Sequence, residues 1–421
     1  MDTGGVLARH DAQLRGRVPE RPPVGAVIER DGPFVRTHYG THGTVDHGPL
    51  PQPPADATVR RQLKAFAARD EPAHWKVYGH DPAGQGEALA AAGFMAGPER
   101  SLLAAAFDRL EPPGRPGQRA GVHSLNSGRG ENPWWAPART LAAATGPHAS
   151  TLADFEADGG CRYGTRDAAV LLERGKVVAA GWAEVAEATD FLVIGGLTGP
   201  HAEFPRAWRA MVEPRERYHL HLHRPVPYCV AEAAGELRTA LLAAGFAELS
   251  TVRTYSWNPP GTPPPADRPV GLIDRGAEAV LWDRLEREFG FDPDIAKFPG
   301  FAAPAPCATW LLRSTLTDEL DLIVRPALVA NTRPGGRLVW LDWQHTGHTF
   351  DPHRVGSPGA PDWPGEVYPN GDYYLFLHPD LEFGTFGHPW EETLTVFGAP
   401  LLAAVEAELT ALLGEPVRRR D

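Results

Sequence analysis

Three histidines alternate with apolar residues near the middle of the chain, in Tyr218-His219-Leu220-His221-Leu222-His223. A period of two puts His219, His221 and His223 on one face of a strand. Imidazole titrates near neutrality, so a histidine here suits general-base work on an amine. Two histidines at i, i+2 also suit a metal ion, but no third ligand accompanies them and no metal is expected. The structural alternative is the polar outer face of an ordinary strand. Tyr228 closes the turn Pro225-Val226-Pro227, where it either donates a proton or packs as a turn aromatic. Glu184 lies in Gly181-Trp182-Ala183-Glu184-Val185, a strand expected to line a cleft, with a solvated face as the alternative.

A second concentration lies near the C-terminus. Asp342, His345, His348, Asp351 and His353 fall within twelve residues, and His378 and His388 follow. A His-x-x-His spacing chelates an ion on a turn or helix, but Gly347 and Pro352 interrupt this one. His388, in Phe386-Gly387-His388-Pro389-Trp390, reads as part of a tight turn that His and Trp fix by packing. An active site built from the two loops together is the other reading.

These residues need elements to hold them. The histidine strand leads through its Pro-bracketed turn into a helix on which Glu232, Ala233, Leu237, Leu241 and Leu242 recur at helical spacing. Gly245 stops that helix, and a strand over Phe246–Trp257 follows. An earlier segment has the same order: a strand over His74–Tyr78, a turn at Asp81-Pro82, a helix over Gln85–Ala92, then Gly93-Phe94. The two Gly-Phe pairs stand 152 positions apart, which reads as an internal repeat. Residues 1–23, ending in Pro22-Pro23, are expected to lack firm structure, and GTHGTVDHG (40–48) reads as a loop. Strands are expected at Ala26–Ile28, Phe34–Val35, Ala168–Leu172, Val177–Val185 and Phe191–Ile194. Helices are expected at Ala57–Ala68, Trp134–Ala144 and Ser150–Ala157, with Pro-rich linkers at 111–120 and 258–269. Beyond the second linker come a helix over Ala277–Phe289 and a run of strand signals at 310–312, 320–324, 337–343, 373–377 and 393–397. A helix over Pro400–Leu413 closes the chain.

At 421 residues the chain is too long for one core. A net charge of −12 without a basic run, apart from the terminal arginines, disfavours nonspecific nucleic-acid or membrane binding. Cys161, Cys229 and Cys307 are too far apart for a disulfide framework or a CxxC metal motif. No stretch reads as a signal peptide and no apolar run approaches about 18 residues, so a cytoplasmic protein without membrane contact is expected.

The order of helices and strands ending in Ala-Gly-Phe resembles the GNAT acyltransferase superfamily. The resemblance covers residues 119–258 as one module and 24–110 as a shortened first copy. WKVYGHD (75–81) with the later AAGF is similar to N-terminal regions of actinobacterial members. Residues 266–421 resemble a separate bacterial family of unknown function, on LDWQHTGHTFDPH (341–353) and GDYYLFLHPDLEFGTFGHPWEETLTVFG (371–398). The expected fold class is therefore mixed α+β: two GNAT-like α/β modules, then a C-terminal α+β domain.

The GNAT resemblance implies an acyl-CoA or other activated acyl donor, a central splayed sheet and attack by a small amine. It places the donor's diphosphate at Gly195, Gly196, Leu197 and Thr198, where backbone amides at a helix start would cradle it. Here the glycines precede that loop, and Pro200, Glu203 and Pro205 sit inside it. Leu89 and Leu241 stand where many members carry a proton-donating tyrosine. These departures leave room for a donor such as a larger acyl-CoA or an aminoacyl-tRNA. They also keep open a ligand- or protein-binding module without catalysis, and an enzyme whose chemistry lies in the C-terminal histidine loops. If the chain is a GNAT-like enzyme, His221 is the expected base. A positioned base contributes roughly 10²- to 10⁴-fold, so His221→Ala should lose activity on that scale in a steady-state assay while circular dichroism stays unchanged.

Overall fold

The computed structural model describes residues 1–19, 22–107, 122–125, 133–144, 155, 166–199, 226–261, 263, 265–294, 296–312 and 317–421. They form two compact units, Met1–Asp267 and Arg268–Asp421.

The first unit opens with a helix where the sequence predicts none. α1 spans Thr3–Gln13, and the Asp2 side chain caps it by accepting from the Gly5 amide. Its apolar face is short: Val6 is buried, with Leu7 and Leu14 packed beside it, so the periodic signal is weak. β1 (Val27–Asp31), β2 (Phe34–His38) and β3 (Gly43–His47) follow. β3 corrects the expected loop at 40–48. Gly43, Val45 and His47 are buried and alternate with half-buried Thr44 and Asp46, so the period of two is real but two of its three inward residues, Gly43 and His47, are not aliphatic. Then come α2 (Asp56–Ala67), β4 (Ala73–Tyr78), α3 (Gln85–Ala91) and β5 (Met95–Ala106). Next are β6 (Val122–Ser124), α4 (Trp135–Ala144), β7 (Arg166–Glu173), β8 (Lys176–Val185) and β9 (Phe191–Thr198). β10 (Tyr228–Ala233), α5 (Gly235–Ala243) and β11 (Ala247–Trp257) complete the unit.

β10 corrects the sequence reading at its centre. Glu232 and Ala233 belong to a strand, and the helix begins only at Gly235. Cys229, Val230 and Ala231 are buried in sequence because β10 lies between β5 and β9, and a short continuous apolar run does not separate strand from helix by period. His219, His221 and His223, and the expected helix at Ser150–Ala157 apart from Phe155, lie outside the described residues.

All eleven strands join one sheet in the order β1-β2-β3-β4-β11-β5-β10-β9-β8-β7-β6. Its centre is an exchange. β5 follows α3 but pairs with β10, and β11 follows α5 but pairs with β4. β5 and β11 pair with each other, antiparallel, in a register that is its own mirror. Arg100 faces Val252, 152 positions on; Ser101 faces Thr251 and Glu99 faces Arg253. The same 152 positions separate Phe94 from Phe246. A local two-fold therefore passes through the Arg100–Val252 pair. On either side stand the two parallel pairs of this sheet, β3 with β4 and β9 with β10.

The second unit holds an antiparallel sheet. Its elements are β12 (Val270–Leu272), α6 (Arg275–Phe289), β13 (Cys307–Leu311), α7 (Thr317–Ala330), β14 (Leu338–Asp342) and β15 (His345–Phe350). After them come β16 (Tyr374–Leu377), β17 (Gly384–His388), β18 (Thr393–Phe397), α8 (Ala399–Leu413) and β19 (Arg418–Arg420). The strand order is β12-β15-β14-β16-β17-β18-β13-β19. Residues 320–324, expected as strand, lie in α7. Leu320, Val324, Ala327 and Leu328 are buried at helical spacing while Leu322 is exposed, so the signal was periodicity of 3.6 read too locally.

Trp75 on β4 is fully buried, with Phe34 at 5.3 Å and Phe94 at 6.2 Å between ring centroids. Truncating a core tryptophan of this kind costs about 3–5 kcal/mol. Trp75→Ala should shift the urea midpoint accordingly, and a loss below about 1 kcal/mol would show that this core is not what holds the sheet.

Candidate functional site

A cavity of about 280 Å³ lies in the first unit, under the end of α1. A space of this size lies at the small end of ligand pockets and suits a small metabolite. Its walls come from elements the topology brings together. β3 and β4 stop pairing after Val45 and Trp75, and the next residues, Asp46, His47, Lys76 and Tyr78, face the cavity. Glu184 on β8, Val193 on β9 and Glu232 on β10 form the other side, and Leu102 on β5 lies between. His10, Leu14 and Arg15 close the roof from α1 and its end.

The dominant charge pair spans the sheet centre. Lys76 Nζ meets Glu232 Oε1 at 2.5 Å. The two residues hold equivalent places about the local two-fold: Lys76 faces Thr254 on β11, and Glu232 faces Leu102 on β5, 152 positions earlier. Identical residues at such places would carry like charges and repel; this chain has opposite ones. Partial burial opposes both charges, the Lys76 side chain keeping 42% of its surface exposed and Glu232 24%, while the adjacent Glu232 carboxylate holds the Lys76 ammonium above its usual range. Lys76 in turn holds Glu232 below the usual carboxylate range against its own burial. Arg100 Nη2 donates to the Glu232 carbonyl at 2.9 Å, fixing the strand beneath. Neither member of the pair is suited to take a proton from a substrate.

Around the pair, burial pushes the Tyr78 hydroxyl up, so it stays protonated and can donate. Arg15 lies over the Tyr78 ring at 4.3 Å and binds Asp81 at 2.6 Å. Burial lowers the His47 pKa, Nδ1 donates to the Gly48 carbonyl at 2.6 Å, and Gln85 Nε2 lies 2.9 Å from Nε2. With both nitrogens engaged it is no free base. Among the carboxylates that line the cavity, Glu184 is the sequence-predicted one.

The other predicted residues fall differently. Tyr228 heads β10 and packs on Phe191 at 5.7 Å, in the cluster beneath α1. Gly195, Gly196, Leu197 and Thr198 are strand residues of β9 at a bulge, not a cradle opening a helix. A Cβ on Gly195 would lie 2.2 Å from the Trp182 ring, so glycine is required there by packing. Gly196 has φ +61°, Leu197 joins the core, and the Thr198 hydroxyl donates to the Leu141 carbonyl at 3.4 Å. Leu89 and Leu241 are both fully buried. Sequence reasoning missed Asp46, Lys76, Tyr78 and Glu232; the alternation Trp75-Lys76-Val77-Tyr78, read as a strand, already put Lys76 and Tyr78 on one face.

In the second unit, Asp342 Oδ2 meets His345 Nδ1 at 2.9 Å, with the His345 side chain largely exposed. The Gln344 amide donates to Asp342 Oδ1 and Asp372 Oδ2, both at 3.1 Å. Asp342, His345 and Asp372 each offer one donor atom within 4.8 Å of the others, a spacing a cation would accept. Sequence spacing pointed to the first two; Asp372 arrives from the start of β16. His348 lies half-buried on β15 beside Trp340 at 5.7 Å. Asp351 accepts from the His353 amide to cap the short 3₁₀ turn Pro352–Arg354, a structural role. His388 ends β17, fully buried among aromatic rings, and burial lowers its pKa.

Comparison with known proteins follows this division. Residues 272–402 match the family described as "Protein of unknown function (DUF2716)". A curated relative, "Uncharacterized protein YxiI" of Bacillus subtilis (strain 168), is 39% identical over 94 residues, 22% of this chain. The chain spans 58% of that relative's length. A solved GCN5-related N-acetyltransferase from Kribbella flavida is similar at TM-score 0.42 and 16% identity, over 62% of this chain and 96% of that one. A tandem GNAT protein from the clavulanic acid biosynthesis pathway is similar at TM-score 0.38 and 15% identity, over 62% and 95%. The expected pairing, GNAT-like structures as neighbours and a C-terminal family without assigned chemistry, is what these comparisons return. No helix among the described residues is long and apolar enough to cross a membrane.

The Asp372 carboxyl carries a pH signature. Burial first, then the adjacent Asp342 carboxylate, push its pKa up to about 6. In the unfolded chain it ionises near 3.8. Between those values the folded state binds the extra proton, so stability falls as pH rises from about 4 to 6. Asp372→Asn should flatten that fall in pH-dependent urea unfolding, and an unchanged slope would remove Asp372 from its cause.

Proposed function

We propose that the first unit is an acyltransferase that moves an acyl group from acyl-CoA, or another activated donor, to a small amine held in the α1-covered cavity. The observation that carries this reading is the cavity's wall. Three carboxylates, Asp46, Glu184 and Glu232, line a space of metabolite size beside two parallel strand pairs. Arg15, Arg17 and Lys76 line the same space, with Lys76 held by Glu232 and Arg15 by Asp81, so the wall is balanced in charge and an ammonium acceptor is proposed to meet Asp46 and Glu184 locally rather than a net field. The Lys76–Glu232 pair stays ionised and orients the acceptor, and Tyr78 keeps its proton to donate a hydrogen bond. Glu184 is proposed as the group that accepts the amine's proton. His221, with His219 and His223 beside it, is proposed for the same step from the stretch that joins β9 to β10. Tyr228 is proposed as a proton donor at the base of β10. The donor's nucleotide half is proposed to lie outside the cavity.

One observation favours a second reading, a binding module without catalysis. The β9 glycines and Leu197 serve packing, and Leu89 and Leu241 fill the places of a proton-donating tyrosine.

A panel of acyl-CoA thioesters and small amines, with thiol release as the signal, separates the two. The enzyme reading expects turnover of at least one pair. Glu184→Gln and His221→Ala then identify the base, since the true one loses roughly 10²- to 10⁴-fold in kcat. Lys76→Ala raises KM. Acetyl-CoA itself should bind weakly, with a Kd well above the micromolar range in calorimetry. No turnover, together with amine binding in the cavity, would support the binding module and sink the transferase.

A further inference from the structure

The roof of the first unit's cavity carries an acid–base pair on α1. His10 lines the cavity, and its side chain is otherwise buried, at 5% exposure. Its Nδ1 lies 3.3 Å from Asp11 Oδ1. Burial works against a charge on Asp11, but the hydrogen bond from His10 and the neighbouring His80 and Arg15 outweigh it and hold the carboxyl below its usual range. An ionised carboxylate only accepts, so the hydrogen of this contact sits on Nδ1 and the neutral ring keeps its lone pair on Nε2. The carboxylate is itself held. His80 Nε2 lies 2.9 Å from Asp11 Oδ2, Arg15 Nη1 3.4 Å from Oδ1, and Ser250 Oγ 2.7 Å from His80 Nδ1. An imidazole oriented by a fixed carboxylate is kept in one tautomer and stabilised once it is charged.

The ring is fixed as well. Tyr78 meets it at 65° with centroids 5.7 Å apart, and Phe191 at 86° and 6.2 Å. With Nδ1 turned to Asp11, Nε2 is the nitrogen left for the cavity. It is not among the sealed, unpartnered nitrogens of the described residues. A charge on His10 is close enough to act on Glu232. The imidazole therefore stands near the Lys76–Glu232 pair, in the space that Asp46 and Glu184 also line.

We propose that His10 is a catalytic base of this cavity and Asp11 its positioning residue, a role that rests on the acyltransferase reading. An amine that enters as ammonium must lose two protons. His10 Nε2 takes the first: an ammonium N–H bond breaks, Nε2–H forms, and Asp11 balances the imidazolium. The freed lone pair of the amine attacks the acyl carbonyl of the thioester. The second proton comes off as the C–N bond forms and the C–S bond breaks, and it passes by way of Glu184 to the departing thiolate. The first returns to solvent when the products leave, which restores neutral His10. Each turnover yields one amide, one thiol and one released proton.

The test uses the full chain, and its first part needs no substrate. With ¹⁵N-labelled histidine, the His10 signals are those lost in His10→Gln. Neutral His10 should be the Nδ1–H tautomer. In Asp11→Asn the side-chain amide donates to Nδ1, and His10 should change to the Nε2–H form. An Nε2–H tautomer in the parent overturns the proposal, as does an Asp11→Asn protein in which the tautomer stays the same. The second part uses an acyl-CoA and amine pair that turns over. His10→Gln keeps the bulk of the side chain and should lose roughly 10²- to 10⁴-fold in kcat with KM little changed. Added imidazole should restore part of the rate to His10→Ala and none to Glu184→Gln, a recovery that a packing role for His10 does not give. Turnover in His10→Gln equal to the parent's removes His10 as a base and leaves the transferase standing, and so does a His10→Ala rate that imidazole does not raise. No turnover by the parent on any pair removes the transferase reading, and the base role with it.

Discussion

The antiparallel pairing of β5 with β11 is the interaction on which the first unit depends. Each of these strands leaves its own half of the chain and docks beside the other half's parallel pair, so β4 is bounded by β11 and β10 by β5. Neither half closes its sheet without the other. The register about Arg100 and Val252 makes the centre symmetric to the residue, and that symmetry sets what faces what above the sheet. A two-fold brings equivalent positions together. Where a functional group is needed at that meeting point, the two copies must differ, because like charges would repel at contact distance. Lys76 and Glu232 are that difference.

The cavity is a consequence of the same arrangement. The parallel pair β3/β4 parts after three residue pairs and β9/β10 after four, and no backbone ladder spans β4 to β3 beyond Trp75. Side chains past those points have room, and α1 covers it with His10, Leu14 and Arg15. The second unit solves a different problem. Its antiparallel sheet is covered by α6 and by the aromatic run from Phe291 to Phe301, with Phe301 stacked on Phe386 at 4.0 Å.

Much of the fold was legible where residue pattern and structure share one cause. The two Gly-Phe pairs mark αL turns, with φ +94° at Gly93 and +98° at Gly245, and only glycine takes such angles without strain. Long amphipathic segments such as Arg275–Phe289 and Ala399–Leu413 were also plain. α1 was hidden because its buried face is narrow. β3 was hidden because His47 and Gly43 take inward places usually held by aliphatics. The end of β10, Glu232 and Ala233, was read as the start of the helix because the alanines and cysteine before it, buried on both faces, carry no period. The candidate site was less legible than the fold. Glu184 was found from its strand, but Lys76 and Glu232 are 156 positions apart, and only the strand exchange puts them together. His345 with Asp342 followed from local spacing, whereas Asp372 comes from the bend before β16, about thirty positions on, which the loop pattern could not indicate.

The claim that this charge pair joins the two copies and defines the cavity is tested most directly by exchanging it. Lys76→Glu and Glu232→Lys should each place like charges at the centre of the sheet and lower stability in urea unfolding. The double exchange restores attraction, and because the Lys76 side chain is 42% exposed the coupling should be about 0.5–1 kcal/mol, at the upper end of what solvent-screened pairs show. The exchanged protein should fold like the parent yet lose binding of any amine that the parent is found to take up in the cavity. Additive single effects, with no recovery in the double variant, would contradict the account.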